Sequence, residues 1–129
     1  MRLLLDTHTF LWAAGAPARL SEAAREAIAD RANDVYVSVA VAWEIAIKAG
    51  RGKLRLPMSP ATFVPSRISV MGLTALPITL DHALAVAALP ALHADPFDRI
   101  MVAQAQVEGL TLVTRDVLTR SYAVPTLEA

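Results

Sequence analysis

The chain has 129 residues, 55% of them hydrophobic and 19% charged, with 12 Lys and Arg against 12 Asp and Glu and no cysteine. That length suits one domain around one core, expected here to span all of 1–129. A mean hydropathy of +0.45 excludes a disordered chain. Zero net charge excludes attraction of the whole molecule to nucleic acid, though not local basic patches. The lack of cysteine excludes disulfides, thiolate catalysis and cysteine-based zinc sites.

In chain order, Arg2 to Leu5 is an aliphatic run that reads as a strand buried on both faces. Asp6 and His8 interrupt it too early for a signal peptide. Ser21 caps a predicted helix to about Ala32, and Val35 to Val39 is a second, β-branched strand. The helix over Ala40 to Ala49 is apolar nearly all round, which predicts burial, and Gly50 and Gly52 stop it. Ser59 and Pro60 start another helix that Pro65 is expected to break. Thr74 to Ile78 is a strand that Pro77 confines to an edge or a strand end. Thr79 caps a helix to about Leu89, and Asp95 with Pro96 opens a long one ending near Gly109. Leu110 to Thr114 is the last strand.

Between Ile68 and Leu92 the only formal charge is Asp81. An Asp at a bilayer centre costs about 2.5 to 3.5 kcal/mol, and Pro77 and Pro90 disrupt a spanning helix, so no membrane segment is expected. The cytoplasm is the default compartment. Strands alternating with helices predict an α/β fold with a mainly parallel central sheet, whose sites form outside the carboxyl ends of its strands.

At those ends the acids gather. Asp6 follows the first strand, Asp116 the last, Glu44 lies early in the helix after the second, and Asp95 and Asp98 occupy the first turn of the long helix. Each has an ordinary explanation: Asp6 and Asp116 as turn or capping residues, Asp95 as an N-cap, Asp98 as a complement to the helix dipole, and Glu44 as the partner of Lys48 four residues on. As a set they form a crowd of like charges that a divalent cation relieves, and oxygen-only ligands suit Mg²⁺ or Mn²⁺. Such chemistry points to hydrolysis of a phosphodiester.

The histidines show no metal-ligand spacing, so His8, His82 and His93 read as surface or capping residues. Trp12, Trp43 and Phe97 read as core or interface anchors. Thr7 and Thr114 sit where a hydroxyl can orient an acid or a water. Lys48, Arg51, Lys53 and Arg55 form one dense basic run, and Arg99 and Arg115 each adjoin an acid, which makes all six candidates for phosphate contact.

Four blocks then carry a resemblance: LLLDTH at Leu3 to His8, SVAVAWEIAIKAGRGKLRLP at Ser38 to Pro57, HADPFDRIMVAQA at His93 to Ala105, and GLTLVTRD at Gly109 to Asp116. Together, and in this order, they resemble PIN-domain proteins, specifically VapC-type toxins of bacterial toxin-antitoxin pairs. The resemblance implies a PIN-like three-layer α/β/α fold with four to five mainly parallel strands. It further implies a Mg²⁺- or Mn²⁺-dependent endoribonuclease inhibited by a VapB-like antitoxin, a homodimer, and a heterotetramer or larger assembly with the antitoxin. Carried over by motif, the family's acidic quartet falls on Asp6, Glu44, Asp98 and Asp116. Asp95 matches a variant of the motif seen in one branch of the family, which makes it a further candidate ligand. The alternatives are a noncatalytic PIN-like module that binds RNA or antitoxin, and a dehalogenase-type phosphatase. The latter needs an Asp where His8 stands.

Overall fold

The computed structural model describes residues 1–129. Its centre is a sheet of five parallel strands in the order β3-β2-β1-β4-β5, flanked by six helices. The strands are β1 (Arg2–Leu5), β2 (Asp34–Ser38), β3 (Thr74–Leu76), β4 (Thr111–Thr114) and β5 (Thr126–Glu128). The helices are α1 (Thr7–Gly15), α2 (Glu22–Ala29), α3 (Val39–Gly50), α4 (Pro60–Val70), α5 (Leu80–Ala85) and α6 (Pro96–Glu108).

The middle strand explains the aliphatic run. β1 is paired on both sides, so Leu3, Leu4 and Leu5 are each fully buried and contact both layers of the core. Register aligns Leu5 with Val37 of β2 and with Val113 of β4, so all three strands finish at one rim. The chain moves from β1 through β2 to β3 and then crosses back to place β4 on the other side of β1. That reversal opens a crevice between the ends of β1 and β4, where Asp6 and Asp116 emerge.

Several elements depart from their sequence-based expectations. α1 begins directly after Asp6, where no helix is predicted. Its Asp6 cap accepts the Thr9 N–H, but its apolar residues show no facial pattern. α4 runs through Pro65 instead of breaking there. Pro65 is exposed, as is Ala61, whose carbonyl loses its donor to water, while the buried Phe63 and Val64 anchor the helix to the core. α3 is only half-buried. It presents Ala40, Val41, Glu44 and Ile45 to the interior but leaves Trp43 61% exposed, its ring edge-on to Phe97 at 5.1 Å. α6 keeps its expected limits, opening on the Asp95 cap and closing at Gly109, whose φ of 67° is the left-handed turn that glycine adopts freely.

Candidate active site

Each acid reaches the rim by a different local device. Asp6 is 5% exposed, and its Oδ1 accepts the Thr9 N–H at 2.9 Å, fixing the carboxylate at the start of α1. Glu44 is also buried. Its Oε1 accepts the Thr7 hydroxyl at 2.6 Å, and its Oε2 pairs with the Lys48 ammonium one helical turn later. Asp95 caps α6 by accepting the N–H groups of Phe97 and Asp98 on Oδ1. Asp116 accepts the Thr119 N–H at 2.8 Å and its hydroxyl at 2.7 Å, both on Oδ2. Thr114 is wholly buried, and its Oγ1 accepts the Asp116 N–H, setting that loop. Several of the ordinary explanations thus hold locally, with Asp6, Asp95 and Asp116 as caps and Glu44 as a helix pair.

The five carboxylates nevertheless face one another across a cavity of about 210 Å³ whose lining contains no hydrophobic residue. Its other walls are Thr7, His8, Lys48 and His93. Burial, then the charges of Asp95 and Asp6, push the Asp98 carboxyl up to about 7, against a smaller opposing influence of His93. Asp116 goes the other way. Partial burial raises it, but the two Thr119 hydrogen bonds and then His93 outweigh that and hold it below the ordinary carboxylate range. Lys48 is held above its usual range, first by its hydrogen bond to Glu44, against partial burial, and then by the charges of Glu44, Asp95 and Asp98.

His93 belongs to this site, although its spacing gives no sign of it. Its Nε2 lies 2.9 Å from Asp98 Oδ2 and 3.1 Å from Asp116 Oδ2, without the alignment of a hydrogen bond to either. Its Nδ1 accepts the Asp95 N–H at 3.3 Å, which places the ring proton of neutral imidazole on Nε2, the nitrogen nearest the two carboxylates. The available signal is local: a histidine two residues before an Asp-Pro cap can fold back onto that cap.

The structure does not bring all the basic candidates to the rim as free cations. Arg99 turns inward: its Nη1 donates to the Pro90 carbonyl and the Tyr122 hydroxyl at 3.0 Å each, and its Nη2 to the Val86 carbonyl at 3.3 Å. Arg115 donates to the Ala129 and Arg19 carbonyls while stacking over the Trp12 ring at 4.7 Å. Both guanidiniums are engaged in joining segments of the chain, although Arg115 remains exposed. Arg99→Met is expected to destabilise the fold by about 1 to 3 kcal/mol by leaving carbonyls without their donor, while RNA affinity at low salt stays unchanged. Urea unfolding and a filter-binding titration check the two halves. Arg51, Lys53 and Arg55 remain exposed just beyond α3.

An oxygen-rich pocket at the crossover of a parallel sheet invites comparison with known proteins. A PIN domain family model matches residues 3–123. Ribonuclease VapC22 of Mycobacterium tuberculosis (strain ATCC 25618 / H37Rv) is 33% identical over 128 residues, covering 95% of this chain and 93% of that protein. Among solved structures, VapBC2 from Rickettsia felis, bound to a DNA fragment from its promoter, has a TM-score of 0.74 at 17% identity over 98% of each chain. DNA-bound VapBC from Salmonella typhimurium has a TM-score of 0.69 at 16% identity, covering 99% of this chain and 97% of that one. The two structures share the fold, whereas the family match and the ribonuclease relative extend over nearly the whole sequence. On that extent of agreement, the chain belongs to the PIN-domain family, among proteins of the VapC type.

Proposed function

We propose that this chain is a metal-dependent endoribonuclease toxin, a single functional domain that acts in the cytoplasm and is neutralised by a cognate VapB-like antitoxin. The observation that carries this reading is the convergence of Asp6, Glu44, Asp95, Asp98 and Asp116 on one cavity without apolar lining. The donor set fits a hard divalent ion: every acid on the cavity offers oxygen, and ligand atoms of Asp98 and Asp116 lie within 4.8 Å of each other, while His93 turns its Nε2–H side toward them as an outer partner rather than a ligand. Asp6, Asp98 and Asp116 would hold the ion, directly or through water. Asp95 has only its second oxygen left to contribute, because Oδ1 caps α6. Bound Mg²⁺ or Mn²⁺ supplies Lewis acidity, lowering the pKa of an attacking water and offsetting charge on the departing oxygen.

The protein's own part is positioning. Glu44, clamped by Thr7 and Lys48, orients the water for attack on phosphorus. The bond to the 3′ oxygen breaks, that oxygen takes up a proton, and the products carry a 5′-phosphate and a 3′-hydroxyl. Arg51, Lys53 and Arg55 meet the phosphate backbone beyond the cavity, with Lys48 at its edge.

A second cleft, of about 500 Å³, is lined by Leu11, Trp12, Leu54, Leu56 and Phe63 and bordered by Arg19, Arg55 and Arg67. Apolar walls with a cationic border suit an antitoxin segment that alternates apolar and acidic side chains. Homodimerisation draws support from the exposed apolar residues Trp43, Leu80 and Leu84.

The deciding experiment incubates the purified chain with RNA in Mg²⁺ and in EDTA. Cleavage yielding 5′-phosphate ends, lost on chelation, is the expected result. RNA binding with no cleavage in any divalent metal would replace this reading with the noncatalytic module. In a filter-binding titration of RNA across salt concentrations, Lys53→Gln and Arg55→Gln are each expected to lower the slope of log affinity against log salt by about 0.7, the share of one phosphate contact on a single strand.

A further inference from the structure

The hydrogen-bond partners of the carboxylates divide the cavity into two unlike halves. On one side, Asp6 and Asp116 each have one oxygen held by backbone and hydroxyl donors and one oxygen without a donor from the chain. Asp98 accepts no aligned hydrogen bond and meets only the His93 imidazole edge. These are groups with lone pairs to spare. On the other side stands Glu44, 5% exposed, with Oε1 taken by the Thr7 hydroxyl and Oε2 by the Lys48 ammonium. Both of its oxygens are already matched to donors from within the chain.

Lys48 is not an ordinary surface partner for that glutamate. Its ammonium lines the same cavity as all five acids and feels the charges of Asp95 and Asp98 as well as Glu44. Two-metal nuclease sites set their ions about 3.5 to 4 Å apart. Beyond Asp6, Asp98 and Asp116, the acids left for a second ion are Asp95, whose Oδ1 caps α6, and Glu44, whose Oε2 the ammonium already holds. Displacing it would cost Glu44 a charge-assisted hydrogen bond and bring a dication against a fixed positive charge.

We propose that the Lys48 ammonium stands in for a second metal ion, so that the site takes one divalent cation per chain, on the side of Asp6, Asp98 and Asp116. The inference rests on the metal-dependent reading above and specifies its stoichiometry. Lys48 then acts as a positioning residue: it holds Glu44 in place and supplies permanent positive charge where other nucleases use a second ion.

The test is Mn²⁺ binding to the full chain by calorimetry, paired with electron paramagnetic resonance. Wild type is expected to bind one Mn²⁺ per chain with an uncoupled spectrum. Lys48→Met, which keeps the length of the side chain and removes its charge, is expected to bind two. Its second ion should bind at least tenfold more tightly than any second ion in wild type, with a spin-coupled spectrum. Lys48→Arg is expected to stay at one. Circular dichroism checks that the variants fold, and Lys48→Gln gives the same readout should the Met variant aggregate. A helix-stabilising pair and nothing more would leave the stoichiometry of Lys48→Met at one, and that result, or two ions in wild type, overturns the proposal. Wild type binding no Mn²⁺ at millimolar concentration defeats the metal-dependent reading itself, so the two failures are distinguishable.

Discussion

Replacing Asp98 with Asn is expected to abolish RNA cleavage while making the metal-free protein more stable. Burial and the neighbouring carboxylates Asp95 and Asp6 raise this carboxyl from 3.8 to about 7. The folded state therefore binds a proton here more tightly than the unfolded chain does. Stability from this group is greatest below about pH 4, is lost as the pH rises to about 7, and stays lost above. A neutral amide removes the repulsion at pH 8. The expected gain in the apo protein is on the order of 1 kcal/mol, roughly 4 °C in Tm, and is small at pH 5. Activity is expected to fall about 10³-fold, because on the proposed mechanism the charge that strains the empty fold is the charge that would hold the ion. The same linkage predicts that Mn²⁺ raises the Tm of the wild type more at pH 8 than at pH 6, since at the lower pH the ion must first displace a proton. Differential scanning fluorimetry at three pH values, with and without Mn²⁺, measures all of this. An apo variant that melts below wild type at pH 8 would show that the acids are not in tension.

The second large effect is at Asp6, where two roles of one side chain can be separated. Asp6 Oδ1 caps α1, and an asparagine oxygen can accept the same Thr9 N–H. Asp6→Asn is thus expected to keep the Tm within about 1 °C of wild type while cutting metal affinity and cleavage by about 10² to 10³, the scale of losing one charged group from a reacting centre. Asp6→Ala removes the cap as well and is expected to cost about 1 kcal/mol of stability on top of the same loss of activity. Calorimetry with Mn²⁺, thermal melts and an RNA cleavage assay on the two variants distinguish capping from catalysis. Full cleavage by Asp6→Asn would sink the assignment of the site.

Much of this architecture was readable where a single strong local rule governed. β1, β2 and β4 are short runs whose both-face burial demands continuous apolar residues, and α6 is framed by Asp95-Pro96 and Gly109. The rim followed from those elements, because a parallel sheet sends every strand end to the same edge. α1 and β5 were not readable. α1 is apolar without facial periodicity, and β5 has only three residues, paired to β4 through backbone contacts that no side-chain pattern announces. Pro65 shows a local rule overridden by the packing of Phe63 and Val64. At the site, the pairing of Glu44 with Lys48 was visible in the four-residue spacing, whereas the place of His93 was not. Its approach to Asp116 joins the segment before α6 to the loop after β4 across the cavity, a contact created only by the fold. The carbonyl partners of Arg99 and Arg115 were not legible for the same reason: adjacency to an acid in sequence says nothing about which way a long side chain turns.

The outermost strands, β3 and β5, are three residues each and are bordered by Pro77 and Pro125. A proline offers no N–H, and so short a margin gives a passing polypeptide too little backbone to add itself as a further strand. For a chain this greasy, such margins disfavour edge-to-edge polymerisation into fibrils. Its stickiness is confined to side-chain surfaces, where shape and charge decide what adheres.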